Sequence, residues 1–293
     1  MTGTQGPFLR RLRYALEAVP VYILYLFFRV LPMETASTCG GAVCRLIGPH
    51  LPSSTVARRN LALTFPDKQE AEREKIVVGM WDNLGRVVAE YAHLPRIWQC
   101  MEVVGAEHLA EVRDSGKPAI FFSAHLANWE VGPVTARKMG LDTYSVYRRP
   151  NNMWVDGLLH YARRSVTAGL IAKGASGARE MLALLKNNKA LVILMDQKLN
   201  EGMSIPFFGR NAMTATAIAS FALWFDCPVY PGRVERLGGC RFRLTIYPAL
   251  DISRSGDKEA DIRQILTTIN RQLEDWIRER PEQWLWIHHR WPD

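Results

Sequence analysis

The chain has 293 residues, with 37 Lys and Arg against 29 Asp and Glu, for a formal charge of +8. Hydrophobic residues make up 48%, enough for a sizeable core, so a disordered or low-complexity chain is excluded. The basic balance suits an anionic partner such as a membrane surface, an acidic carrier protein or a phosphorylated lipid. Five cysteines (Cys39, Cys44, Cys100, Cys227, Cys240) form no C-x2-C pair, which argues against a disulfide framework or a zinc site and for reduced thiols in a cytoplasmic protein.

Arg10, Arg11 and Arg13 precede an apolar run, Ala18 to Leu31. As a helix its fourteen residues would span about 21 Å, short of the ~30 Å hydrocarbon core. Its tyrosines and phenylalanines, between Arg13 and Arg29, suit a helix lying in or shallowly inserted into a membrane interface. Cys39 to Leu51, small and apolar, would lie beside it. Residues 1–50 therefore read as an N-terminal membrane anchor and residues 51–293 as the main domain. Ser53-Ser54-Thr55 caps a helix that runs to Phe65-Pro66. A longer one follows from about Lys68 to Leu94, its stripe of Ile76, Met80, Leu84, Val87, Val88 and Tyr91 at core spacing. Glu90, near its end, is expected to be solvated.

Beyond residue 100 strands and helices alternate. Strands are expected at Ala119–Ser123, Thr143–Tyr147, Ala190–Met195, Val229–Glu235 and Arg241–Tyr247. Helices are expected at about Trp129–Lys138, Trp154–Ser165, Gly177–Asn187, Ala215–Phe225 and Lys258–Arg280. The rhythm predicts an α/β fold with a mixed, mostly parallel sheet covered by helices.

The most informative stretch is Pro118 to Val131, where an apolar strand stops at His125 and Glu130 follows five residues on. In a continuous helix five residues advance about 500°, leaving the two side chains about 140° apart. A strand end, a loop and a helix capped by Asn128 would instead bring them together. A neutral imidazole oriented by a carboxylate is a general base, and the carboxyl end of a strand is where such sheets place ligands. The spacing alone is a weak motif. Its weight comes from other polar groups expected at the same edge: Arg148 and Arg149 after the second strand, Arg163 and Arg164 one helix later, then Asp196 and Gln197. Ile205 to Arg210 adds an apolar, aromatic wall. Singly each has a bland explanation. Together they suit acyl transfer from a thioester to a hydroxyl, in which an oxyanion needs a positive donor and an acyl chain needs an apolar groove. No G-x-S-x-G elbow, phosphate-binding glycine loop or H-E-x-x-H is present. His288-His289 lies among tryptophans that favour packing, and no nucleic-acid module accompanies the charge.

With these residues in place, the chain resembles the lipid A biosynthesis acyltransferases within the lysophospholipid and glycerolipid acyltransferase superfamily. The likeness covers nearly the whole chain: Arg59-Asn60-Leu61, Asn83-Leu84-Gly85, His125-Leu-Ala-Asn-Trp-Glu130, Tyr147-Arg148, Asp196-Gln197, Pro206-Phe-Phe-Gly209, and Pro281-Glu-Gln-Trp-Leu-Trp-Ile-His288. The phosphatidylinositol mannoside acyltransferases share the pattern. The doubled Arg148-Arg149 departs from the expected Tyr-Arg-Pro and blurs which guanidinium takes that place.

The resemblance implies transfer of a fatty acyl group from an acyl carrier protein thioester to a hydroxyl of a glycolipid acceptor, at the cytoplasmic face of a bacterial inner membrane. It assigns His125 as general base and Glu130 as the carboxylate holding its tautomer. Arg163 matches the family arginine supporting the carboxylate or oxyanion, with Arg164 its rival. Asn128, Arg148, Arg149, Asp196 and Gln197 would contact substrate or complete the polar rim. No metal or bound cofactor is implied, since the thioester is already activated; the donor is acyl carrier protein or coenzyme A thioester. Direct attack in a ternary complex is expected, with Ser123 the nearest alternative nucleophile. Competing readings are acyl transfer from coenzyme A to another glycolipid or lysophospholipid, a non-catalytic lipid-binding protein, and a thioester hydrolase.

Overall fold

The computed structural model describes residues 7–291; the first six residues of the expected anchor segment lie outside that range. Four helices lead: α1 (Pro7–Val30), α2 (Met33–Ile47), α3 (Ser53–Thr64) and α4 (Glu70–Glu90), followed by the short α5 (Leu94–Ile97). The α/β part then runs β1 (Met101–Val104), α6 (Ala106–Ser115), β2 (Ala119–Ser123), α7 (Val131–Lys138), β3 (Thr143–Tyr147), α8 (Met153–Arg163), β4 (Gly169–Ala172), α9 (Ala175–Lys186) and β5 (Ala190–Leu194). A hairpin of β6 (Met203–Phe207) and β7 (Arg210–Thr214) precedes α10 (Ala217–Phe225), β8 (Val229–Gly238), β9 (Arg241–Ile246) and α11 (Lys258–Glu279).

Seven strands form one sheet in the order β1-β9-β8-β2-β5-β3-β4, and only the β8–β9 pair is antiparallel. The central strands β2 and β5 pair from Ala119↔Ala190 to Ser123↔Leu194 and are apolar because helices cover both faces. Their carboxyl ends coincide, which places whatever follows Ser123 beside whatever follows Leu194. On one face α9, α10, α11 and the aromatic C-terminal segment enclose the larger core around Phe122, Trp276, Trp284 and Trp286; on the other, α6 and α7 enclose a second around Phe121, Val131 and Val134.

The expected α/β architecture is observed. The elements not anticipated are β1, α6, β4 and the β6–β7 hairpin. β1 and β4 are short edge strands with mixed burial, so neither shows a sustained apolar run. The Pro206-Phe-Phe-Gly209 stretch is a tight hairpin turn, with Phe208 at φ 52° and Gly209 at φ 70°.

The N-terminal helix is longer than its apolar run predicts. Along α1, Leu9, Leu12, Leu16, Val19, Ile23, Leu26 and Val30 are all exposed, an i, i+3, i+7 stripe on the outer face, while Ala18 and Phe28 are buried. The helix is fastened to the body by polar contacts: Arg29 Nη1 donates to the Ala92 carbonyl at 2.7 Å, and Tyr22 donates to the Trp154 carbonyl at 3.1 Å. Among the described residues, no helix is long and apolar enough to cross a membrane. α2 packs along α4 at unusually close range: a Cβ on Gly40 would stand 2.4 Å from the Gly85 carbonyl oxygen, so a larger residue there would force the helices apart.

Candidate active site

After β2 the chain makes a compact loop, Ala124 to Glu130, pinned from several sides. The Asn83 amide donates to the Ala127 carbonyl at 3.0 Å, and Ala127, at φ 49°, donates its own N–H to the Gln283 carbonyl at 2.9 Å. Leu126 bridges to Trp284, and the Leu285 N–H donates to the His125 carbonyl. The closing Gln283-Trp-Leu stretch thus acts as a strap on the loop. A non-glycine residue at positive φ is tolerated here because its neighbours determine it from both ends.

His125 turns its ring toward the end of β5. Its Nδ1 lies 2.8 Å from Asp196 Oδ1, its backbone N–H donates to Asp196 Oδ2 at 2.9 Å, and the Trp284 indole N–H donates to the same oxygen at 2.8 Å. Asp196 is fully buried. Burial would push its carboxyl up, but the imidazole and the hydrogen bonds around it outweigh that and hold it well below the usual carboxylate range. An ionised carboxylate only accepts, so Nδ1 carries the proton and Nε2 is left as the free lone pair. The Gln197 side-chain nitrogen stands 3.4 Å from that Nε2 and 3.2 Å from Nε2 of His288, whose ring centroid is 5.2 Å from that of His125. Burial above all pushes His288 down to about 4, so it is neutral beside His125.

Glu130, expected on the imidazole, is engaged elsewhere. It accepts from the Tyr91 hydroxyl at 2.5 Å and from Arg163 Nε at 2.7 Å, with a second Arg163 contact through Nη2. Arg163 Nη2 also donates to the Tyr91 oxygen at 2.7 Å. Burial pushes the Glu130 carboxyl up, yet the guanidinium and the phenol outweigh it and hold it below its ordinary value. The two acids therefore divide the work. Asp196 fixes the imidazole, and Glu130 with Arg163 and Tyr91 forms a buried charged wall. His125 reaches Asp196 because β2 and β5 end level, a juxtaposition invisible in the spacing within one segment.

Both clusters face one cavity of about 730 Å³. His125, Glu130, Arg163, Arg148, Gln197, Lys173 and Glu201 are among the polar groups on its wall, and much of the rest is apolar, including Trp129, Leu159, Met181, Ile193 and Ile218. A cavity of this size with a few convergent polar groups is typical of a small-ligand site. Other expected site residues lie apart from it. Asn128 is fully buried: its amide donates to Glu90 at 2.8 Å and its oxygen accepts the Glu130 N–H, so α7 starts at Val131 rather than Trp129. Arg149 is exposed with Asp156 at 3.5 Å, and the Arg164 guanidinium lies 3.7 Å over the Tyr161 ring. Glu90 is buried, not solvated, and pairs with Arg236 at 2.6 Å while accepting from Ser37. The Ser123 hydroxyl is buried without a hydrogen-bond partner, so no base activates it.

Tyr91, Trp284 and His288 had no assigned place at the site in the sequence. Tyr91 belongs to an apolar helical stripe, and the tryptophans do pack, yet one indole N–H is spent on Asp196. Among the described residues, no three His, Cys, Asp or Glu side chains are grouped to hold a metal ion.

An imidazole paired with a buried carboxylate on the wall of a largely apolar cavity is compatible with acyl transfer. The family model of the bacterial lipid A biosynthesis acyltransferases matches residues 5–293. The chain belongs to that family. It is 25% identical over 290 residues to the lipid A biosynthesis palmitoleoyltransferase of Escherichia coli, covering 95% of this chain and 91% of that protein. It is 27% identical over 247 residues to the lipid A biosynthesis lauroyltransferase of the same organism, covering 80% and 78%. A more distant relative is the phosphatidylinositol mannoside acyltransferase of Mycolicibacterium smegmatis, 24% identical over 256 residues, with 80% and 78% covered. The lipid A acyltransferase family membership makes this chain an O-acyltransferase.

Proposed function

We propose that this acyltransferase moves a fatty acyl chain from an acyl carrier protein thioester to a hydroxyl of a lipid A precursor, by direct attack. His125 Nε2 takes the acceptor's hydroxyl proton as the alcohol oxygen bonds to the thioester carbon. Asp196 stabilises the imidazolium, the role expected earlier of Glu130. The tetrahedral oxyanion forms beside the Gln197 amide and the Arg163 guanidinium, both on the cavity wall. Its collapse breaks the C–S bond, and the imidazolium returns the proton to the leaving thiolate. Glu130 and Tyr91 hold Arg163 in place. Arg148, at the same wall, is positioned for a phosphate of donor or acceptor.

The observation that carries this reading is the His125–Asp196 pair, with the free Nε2 of His125 on the wall of a largely apolar cavity. The outer stripe of α1 supports docking on the inner membrane at its cytoplasmic face: seven exposed apolar side chains with Arg10, Arg11 and Arg13 at one end suit an interfacial helix. The net charge of +8 favours an acidic carrier protein as donor.

The test supplies purified protein with acyl carrier protein thioester and a lipid A precursor bearing free hydroxyacyl chains, read by mass spectrometry. Acylated acceptor is the expected product. Free fatty acid formed at the same rate without acceptor would identify a hydrolase, and transfer only to a phosphatidylinositol mannoside would move the acceptor class to that of the more distant relative.

A further inference from the structure

The closing stretch from Trp284 carries His288 to the edge of the reacting centre. Trp284 and Trp286 are fully buried. The Asn60 amide donates to the carbonyls of Trp286 at 2.8 Å and His288 at 2.7 Å, and the Arg290 N–H donates to the same His288 carbonyl at 2.8 Å. Arg290 is itself fully buried, its guanidinium donating to the Met213 carbonyl and the Thr214 hydroxyl of β7. With its backbone pinned by buried groups, His288 is a fixed part of the site.

The Nε2 atoms of His288 and His125 both face the side-chain nitrogen of Gln197, at 3.2 Å and 3.4 Å. The orientation of that amide follows from the groups around it. Ionised Asp196 holds the proton of His125 on Nδ1, so Nε2 presents a lone pair, which would repel a carbonyl oxygen. The NH₂ group therefore lies between the two rings. His288, neutral because burial holds it at about 4, then accepts through Nε2 and carries its own proton on Nδ1. One amide hydrogen is thereby anchored on His288. The other points to the space before His125 Nε2, over a contact long enough to yield when a substrate oxygen arrives. On the acyl-transfer reading above, on which this inference rests, we propose that His288 is a positioning residue that fixes the Gln197 amide with its second hydrogen aimed at the developing oxyanion. A donor fixed before the reaction stabilises that charge without the cost of reorganising.

Nitrogen NMR of the parent at neutral pH should show His288 uncharged and protonated at Nδ1; a proton on Nε2 instead would overturn the proposal. Steady-state transfer is then compared for Gln197→Ala, His288→Leu, His288→Gln and the Gln197→Ala/His288→Leu double variant, with melting temperature as the folding control. Gln197→Ala should lose about 10²–10³-fold in kcat, the usual cost of one oxyanion donor, with KM for the thioester little changed. His288→Leu keeps the amide but no longer holds it, and should lose about 10–10²-fold in kcat. His288→Gln, whose side-chain oxygen can accept in place of Nε2, should recover most of that loss. The double variant should fall no further than Gln197→Ala, because His288 acts through that amide. Parental kcat for His288→Leu, no recovery in His288→Gln, or multiplied losses in the double variant would each overturn the proposal while leaving acyl transfer by the parent intact. A parent that transfers no acyl chain would sink the acyl-transfer reading, and this inference with it.

Discussion

Replacing Asp196 by asparagine isolates the tautomer argument. Asp196 Oδ2 accepts two fixed donors, the His125 backbone N–H at 2.9 Å and the Trp284 indole N–H at 2.8 Å. An asparagine must place its carbonyl oxygen there, because an NH₂ group would oppose two N–H donors. Its NH₂ then occupies the Oδ1 position, 2.8 Å from His125 Nδ1, and donates to it. The imidazole is driven to the tautomer protonated at Nε2, so the lone pair that should take the hydroxyl proton is gone. The size and shape of the side chain are otherwise kept. Loss of an oriented general base costs about 10²–10⁴-fold, or about 3–5 kcal/mol of transition-state stabilisation. The assay is steady-state transfer, paired with nitrogen NMR of His125 to read which ring nitrogen carries the proton. An Asp196→Asn protein that transfers at the parental rate, or that keeps the Nδ1 proton, would refute the reasoning.

Further outcomes follow from the same geometry. Glu130→Gln leaves the buried Arg163 guanidinium without its anion and should destabilise the fold by about 3–5 kcal/mol, measured by urea unfolding, with the His125 tautomer unchanged. Arg236→Ala strands the fully buried Glu90 and should cost a similar amount, about 3–5 kcal/mol, by the same measurement. His288, held down at about 4, binds its proton more weakly in the folded chain than in the unfolded one, whose value is near 6.5. Its contribution is thus fully present above pH ~6.5 and is lost as pH falls toward 4, on the order of 3 kcal/mol; a His288→Asn variant should show a flatter acid limb in its stability profile. Exchanging Leu16, Ile23 and Leu26 for serine should abolish flotation with anionic vesicles without lowering the melting temperature, since all three are exposed.

Much of this was legible in the chain because strong local signals and the fold agreed. The run Ala119 to Ser123 is apolar on both faces because it is the central strand, and the abrupt histidine marked its end. Asn128 read as a cap for the right chemical reason, yet its amide closes a turn and reaches Glu90. What was not legible depends on pairs distant in sequence. The partner of His125 lies 71 residues on, placed by the level ends of β2 and β5, and nothing near residue 125 reports that register. Glu90 looked solvated because its partner, Arg236, sits 146 residues away on β8. Tyr91 occupies a position that packing alone would explain, and only the Glu130–Arg163 pair beside it gives the hydroxyl a task.

The central claim is that the imidazole at position 125 does the proton transfer at the head of the acyl cavity. Single-turnover transfer by His125→Ala, with carrier-bound donor in excess and folding checked by circular dichroism, measures it directly. The account predicts a loss of about 10²–10⁴-fold with donor binding retained; acceptor acylated at the parental rate would contradict it.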